Sequence, residues 1–148
     1  EGIISGEASK IGLESTIISM LTEASILRFG AIEEAELSYV LGINLKKPEQ
    51  DEKISAPGQL SSHYAPRGSI RLNSTTIKEN EVHLGFGKVD SDLNLSKTEN
   101  LIEAAANLFD FLHKLDEIGA EKIAVSPIPE EGIGIAINDR LRRAAAPR

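Results

Sequence analysis

Between Ala56 and Arg67 the chain reads Ala-Pro-Gly-Gln-Leu-Ser-Ser-His-Tyr-Ala-Pro-Arg. Pro57-Gly58 is a turn signal and Pro66 biases Ala65 toward extended backbone, so the stretch is neither helix nor strand. Ser61, Ser62, His63, Tyr64 and Arg67 form a dense set of hydrogen-bonding groups suited to an anionic ligand. Composition alone reads it as a solvated linker. His63 is the better direct ligand of the pair, since imidazole donates from a partly exposed site and charges near neutral pH. The Tyr64 ring could instead pack against a folded body. Earlier in the chain, Arg28 offers a rigid fork of donors that matches phosphate oxygens. Its alternative is a surface arginine paired with a nearby glutamate. Ser15 and Thr16 fall in strand-like sequence, where alternation sends neighbours to opposite faces.

Other polar groups carry less chemistry. His83 and His113 lie far apart, in strand-like and helix-like sequence, and read as structural; no metal-ligand spacing is present. Gly132-x-Gly134 before a helix resembles half of a phosphate-binding turn, without the third glycine or the acidic residue of the dinucleotide fingerprint. Asn138 or Asp139 could tie the preceding loop to the helix. Arg140, Arg142, Arg143 and Arg148 form a local basic cluster. A solvated helix face is the simpler reading than a nucleic-acid contact.

These residues need elements to position them. Leu13 to Met20 reads as a strand and Ser25 to Arg28 as a second, closed by Gly30. Glu33, Glu34 and Glu36 crowd the first turn of a helix, where negative charge suits the dipole. Ile32, Ala35, Leu37, Tyr39, Val40 and Leu41 give that helix its apolar side and Gly42 its stop. Lys46 to Lys53 is charged, broken by Pro48, and reads as a flexible link. Further on, Ser69 to Leu72, Val82 to Phe86 and Lys122 to Ser126 read as strands. Ser96-Lys97-Thr98-Glu99 has the form of a capping box opening the clearest helix, with Leu101, Ala105, Leu108, Leu112 and Leu115 at helical spacing and Gly119 at its end. Pro127 to Gly134 reads as a loop, and Ala136 to Ala145 as a last helix with Ile137, Leu141 and Ala145 on one side. Strand and helix alternating at these lengths predict an open, parallel-sheet α/β domain over residues 68–148. Residues 1–45 read as the end of an incomplete domain, and 46–67 as a linker. Two strands and one helix bury too little to fold alone.

Composition narrows the classes. Of 148 residues, 41% are hydrophobic and 26% charged, so a soluble core is feasible; aromatics at 4% make it an aliphatic one. Sixteen basic against 23 acidic residues leave a net charge of −7, which argues against a direct nucleic-acid face. The absence of cysteine removes disulfides, thiolate catalysis and zinc-thiolate sites, and suits a cytoplasmic protein. No apolar run reaches the roughly 18 residues of a membrane span. The opening at Glu1, in β-like sequence, suggests a fragment.

Four blocks, in order, resemble one family. Pro57-Gly58 and His63-Tyr64-Ala65-Pro66 are similar to the SPGM-x-x-x-HYAP linker of long-form threonylcarbamoyl-AMP synthases, YrdC-type enzymes with an extra C-terminal domain. Ala56 stands in place of the serine and Gln59 of the methionine. Gly12-Leu13-Glu14-Ser15-Thr16-Ile17 resembles the GLESTI strand. Ile26-Leu27-Arg28-Phe29-Gly30 resembles the ILRPG turn, with Phe29 in place of the proline. Gly132 to Ala145 resembles the C-terminal block. The resemblance implies the end of a YrdC-type α/β domain joined to a small Rossmann-like domain. It implies a parent that makes threonylcarbamoyl-AMP from L-threonine, bicarbonate and ATP, with magnesium accompanying the ATP, for modification of tRNA. It gives Ser15 a place against threonine, and gives Arg28, His63 and Tyr64 places against ATP, with no catalytic residue in this chain. The alternative is a non-catalytic α/β module that senses nucleotide or docks a partner.

Overall fold

The structure is a computed structural model and describes residues 11–21, 23–47 and 65–146. Its first part is an antiparallel hairpin of β1 (Ile17–Ser19) and β2 (Ser25–Arg28), with Ile18 opposite Ile26 and Ser19 opposite Ser25. The register slips between Ile17 and Ile18, which places Ile17 opposite Arg28. The first strand is shorter than the Leu13 to Met20 run predicts. Gly12 is at φ +69, and a Cβ there would come within 2.4 Å of the Ala106 Cα, so the chain is committed to close helix contact before it can join the strand.

A helix, α1 (Glu34–Leu41), follows and ends at Gly42 with φ 67. The predicted apolar side is largely open: no residue of α1 is buried, and Tyr39 is 88% exposed. Leu45 is buried, and Lys46 bonds on both sides of its peptide, accepting from Ile26 N at 2.8 Å and donating to Ala24 O at 2.9 Å. Lys46 is therefore held to β2 rather than free, as a flexible link starting there would require. The rest of the Lys46 to Lys53 stretch, beyond Lys47, lies outside the described residues.

The second part carries β3 (Ser69–Arg71), β4 (Val82–Gly85), β5 (Leu93–Asn94), α2 (Leu101–Glu117), β6 (Lys122–Val125) and α3 (Ile133–Ala144). The sheet runs β3-β6-β4-β5 with every pair parallel. The two-residue β5 is not predicted; a strand that short carries no period. The rest agrees with the parallel α/β expectation. Leu84, Ile123 and Val125 meet Leu108, Leu112 and Leu115 of α2 and Ile137 and Leu141 of α3 in one aliphatic core. Alternation turns His83, Ala124 and Ser126 to the opposite face. There His83 is buried, its Nδ1 at 2.9 Å from Asp90 O and its Nε2 at 2.8 Å from Ser126 Oγ. That is a structural role, as expected.

The expected capping box is displaced. The N-cap of α2 is Asn100, whose side-chain oxygen accepts from Ile102 N and Glu103 N. Ser96 stands one step back: it accepts from Asn100 N at 3.0 Å and donates to Glu103. Glu99 has φ 61, a left-handed backbone that no helical first turn tolerates, so the helix starts after it.

The connection from β3 to β4 is fixed by charge. Arg71 Nε and Nη2 grip the two oxygens of Glu81 at 2.8 and 2.6 Å, and Lys78 N donates to Glu81 at 2.7 Å. The Arg71 hydrogen bonds, ahead of the Lys78 amide, hold the Glu81 carboxyl at about 2 against an ordinary 4.5. A carboxyl depressed on folding stabilises fully above its unfolded pKa and stops doing so as pH falls through the folded one. Glu81→Gln is thus expected to lower the melting temperature at pH 7. The gap to the parent should stay constant above about pH 4.5 and close toward pH 2. Melting curves that run parallel from pH 6 to pH 2 would show that the pair contributes no such linkage.

Candidate functional site

Arg28 ends β2 with its side chain turned into the protein, and the residue is 8% exposed. Its Nε donates to Ser15 O at 3.0 Å and its Nη2 to Ser15 Oγ at 3.3 Å. Nη1 lies 3.7 Å from Glu14 Oε1. The two residues singled out for separate ligands are in contact. Ser15 lies just before β1 and is exposed, while its neighbour Thr16 turns elsewhere and donates to Ile32 O at 2.9 Å. The strand ends are pressed together at Gly30, where a Cβ would lie 2.3 Å from Thr16 N. Of the two readings for Arg28, a glutamate is nearby, but the guanidinium is buried rather than on the surface.

Arg140 of α3 is the unforeseen member. A solvated helix face or a tRNA contact would leave it exposed, yet it is 4% exposed. Its Nε donates to Glu14 at 2.8 Å, its Nη2 to Phe29 O at 2.9 Å and its Nη1 to Asp139 at 2.5 Å. Asp139 also accepts from Arg143 Nε at 3.0 Å. Arg142, in contrast, is half exposed and pairs with Glu130 on the surface. The signal was in the spacing: Arg140 falls three residues after Ile137 and four before Ala144, on the buried face of the helix, whereas Arg142 falls opposite.

Asn138 does tie the loop to the helix, donating to Ile128 O at 3.0 Å. The Gly132-x-Gly134 turn is explained by packing. A Cβ on Gly134 would sit 2.1 Å from Pro129 O, and one on Gly132 would sit 3.2 Å from the Glu33 carboxylate. A carboxylate already beside this helix start opposes a phosphate there. The helix begins at Ile133, earlier than expected, because these glycines let the chain turn directly into it.

His63 and Tyr64 lie outside the described residues. The end of their stretch is visible: Pro66 is buried, Ala65 and Pro66 border a hollow shared with Phe109, Leu112, His113 and Asp116, and Arg67 N donates to Asp116 at 2.6 Å. His113 is exposed at this hollow. Among the described residues no group of three or more His, Asp or Glu side chains is placed to hold a metal ion. Among them, too, no helix is long and apolar enough to cross a membrane.

The architecture is an α/β one, a four-stranded parallel sheet with a small antiparallel hairpin clasped to it through a buried ionic cluster. Residues 31–146 match the family described as threonylcarbamoyl-AMP synthase, C-terminal domain, and the chain belongs to that family. It is 30% identical to the threonylcarbamoyl-AMP synthase of Bacillus subtilis, over 99% of this chain and 49% of that protein. It is also 30% identical to that of Pyrococcus abyssi, over 100% of this chain and 50% of the relative. The chain therefore spans about half the length of the curated relatives it matches. In structure it is similar to the P. abyssi protein solved in complex with L-threonine, with a TM-score of 0.74 and 25% identity over 93% of this chain and 47% of that one. A form of that protein with an adjacent histidine and tyrosine both replaced by alanine has the same fold, with a TM-score of 0.73 at 24% identity over 92% of this chain and 46% of the other.

Proposed function

We propose that this chain is the C-terminal part of an enzyme that joins L-threonine, bicarbonate and ATP into threonylcarbamoyl-AMP with release of pyrophosphate, for tRNA modification in the cytoplasm. In this reading residues 1–45 close a YrdC-type domain, 46–67 link it onward, and 68–148 form the Rossmann-like companion. The observation that carries it is the Ser15–Arg28 contact, inside a chain of this family. Threonine lies against Ser15, and Arg28 serves the phosphates. His63 and Tyr64 lie over the nucleotide.

The chemistry asks for positioning and charge. The threonine amine forms an N–C bond to the bicarbonate carbon with loss of water. An oxygen of the resulting carbamate attacks the α-phosphorus, a new P–O bond forms, and the bond to pyrophosphate breaks. Guanidinium near the phosphates offsets the charge gathered there. Because Arg28 also holds Ser15, the two substrates share one support.

The test uses full-length synthase carrying this chain. Pyrophosphate release should require both threonine and bicarbonate. Arg28→Ala should weaken ATP by roughly tenfold or more, the scale of a charge-assisted hydrogen bond, and threonine by less. Equal, small effects on both ligands would assign Arg28 to structure alone. This chain by itself should release no pyrophosphate, and turnover dependent on both threonine and bicarbonate would refute the split-site reading.

A further inference from the structure

We infer that Arg140 is the positioning residue through which the parallel-sheet part sets the geometry of the Ser15–Arg28 pair. The inference rests on the substrate roles proposed for those two residues. All three nitrogens of its guanidinium are engaged, each with a different segment: the approach to β1 at Glu14, the exit from β2 at Phe29, and its own helix at Asp139. Glu14 is the residue before Ser15, and Phe29 is the residue after Arg28. One side chain thus holds the Glu14 carboxylate beside Ser15 and the Phe29 carbonyl beside Arg28. Arg28 in turn orients Ser15 by holding its carbonyl and its hydroxyl, and the Glu14 carboxylate lies between the two arginines.

A docking role alone would not call for a cation. Burying a guanidinium is costly, and apolar side chains of similar volume commonly hold two elements together as well or better. A planar fork offers fixed donor directions, which specify where two strand ends sit relative to each other. Apolar packing between the parts already exists at Gly12 and Leu13, against α2 and the core. Docking therefore has its own contact, and the ionic clasp adds register. Phe29 fits the same account. Its carbonyl is held from outside by Arg140, so the turn after Arg28 is fixed by a hydrogen bond across the interface.

Arg140→Lys in the full-length synthase is the test, because lysine keeps the charge and loses the fork. Equilibrium binding of L-threonine should weaken about tenfold, the scale of one lost hydrogen bond to the ligand. The melting temperature of the variant is measured alongside, and Arg142→Lys, on the exposed face, should bind as the parent does. Wild-type threonine affinity in a folded Arg140→Lys protein overturns the inference. Should that variant fail to fold, Glu14→Gln replaces it, keeping an acceptor for Arg140 while removing the charge between the arginines. Weakened threonine binding supports the inference and unchanged binding overturns it. Ser15→Ala separates the two levels: if it binds threonine like the parent, the site reading itself is wrong. If Ser15→Ala binds weakly while folded Arg140→Lys binds normally, only the positioning role is lost.

Discussion

Asp139→Ala is expected to destabilise the fold by about 3 kcal/mol, at the lower end of the 3–5 kcal/mol typical when one partner of a buried ion pair is removed. The Asp139 carboxylate is 13% exposed and bridges two guanidiniums, Arg140 at 2.5 Å and Arg143 at 3.0 Å. Its loss leaves two like charges near each other on one helix with the intervening anion gone. Arg140 retains Glu14 and the Phe29 carbonyl, which is why the low end of the range applies. Asp139→Asn separates charge from hydrogen bonding. The amide oxygen can still accept, so about half of the loss should return if the bond matters as much as the charge. Denaturant unfolding of the three proteins decides the matter. Equal midpoints for Ala and the parent would mean that the cluster is stabilising nothing, and that its carboxylate is dispensable.

Much of this arrangement is written in the sequence as spacing. The α2 positions Ala105, Leu108, Leu112 and Leu115 are all buried, as their helical period requires, because a single amphipathic stripe has only one way to meet a sheet. Short β-rich runs closed by a nearby glycine mark β2 and β4 in the same way, and one closed by Pro127 marks β6. What escapes such reading depends on contacts distant in sequence. Arg140 reaches Glu14 across 126 positions, and no local pattern states that pairing. The run Arg140, Arg142, Arg143 looks uniform by composition, and only the helical wheel separates the buried residue from its neighbours. The α2 cap is a subtler case. Ser96 and Glu99 have the right spacing, but Asn100 and Glu103 have it too, and the left-handed backbone at Glu99 selects the second pair. The apolar residues of α1 follow a helical period yet stay exposed, because periodicity predicts an apolar side and not the surface that covers it.

Gly134→Ala carries the other large expectation, and its sign is the informative part. Alanine in a helix ordinarily gains about 1 kcal/mol over glycine. Gly134 is the second residue of α3, so propensity alone predicts a modest gain. Packing predicts the reverse. The added Cβ would lie 2.1 Å from Pro129 O and 3.3 Å from its carbonyl carbon, both backbone atoms that cannot swing aside. Nor is that loop free to retreat, since Asn138 holds the Ile128 carbonyl at 3.0 Å and lies 3.4 Å from Pro129 O. Overpacking of this kind costs about 1–3 kcal/mol, and a backbone partner puts the cost in the upper part of that range. A net loss of about 2 kcal/mol is therefore expected in denaturant unfolding. Gly119→Ala is the control for backbone strain without collision: φ is +70, nothing lies within 4 Å, and about 1 kcal/mol should be lost. A Gly134→Ala protein as stable as the parent would show that the loop can yield. The glycine would then require another explanation, and the half-formed phosphate turn would return as a candidate, to be tested by titrating inorganic phosphate against the variant and the parent.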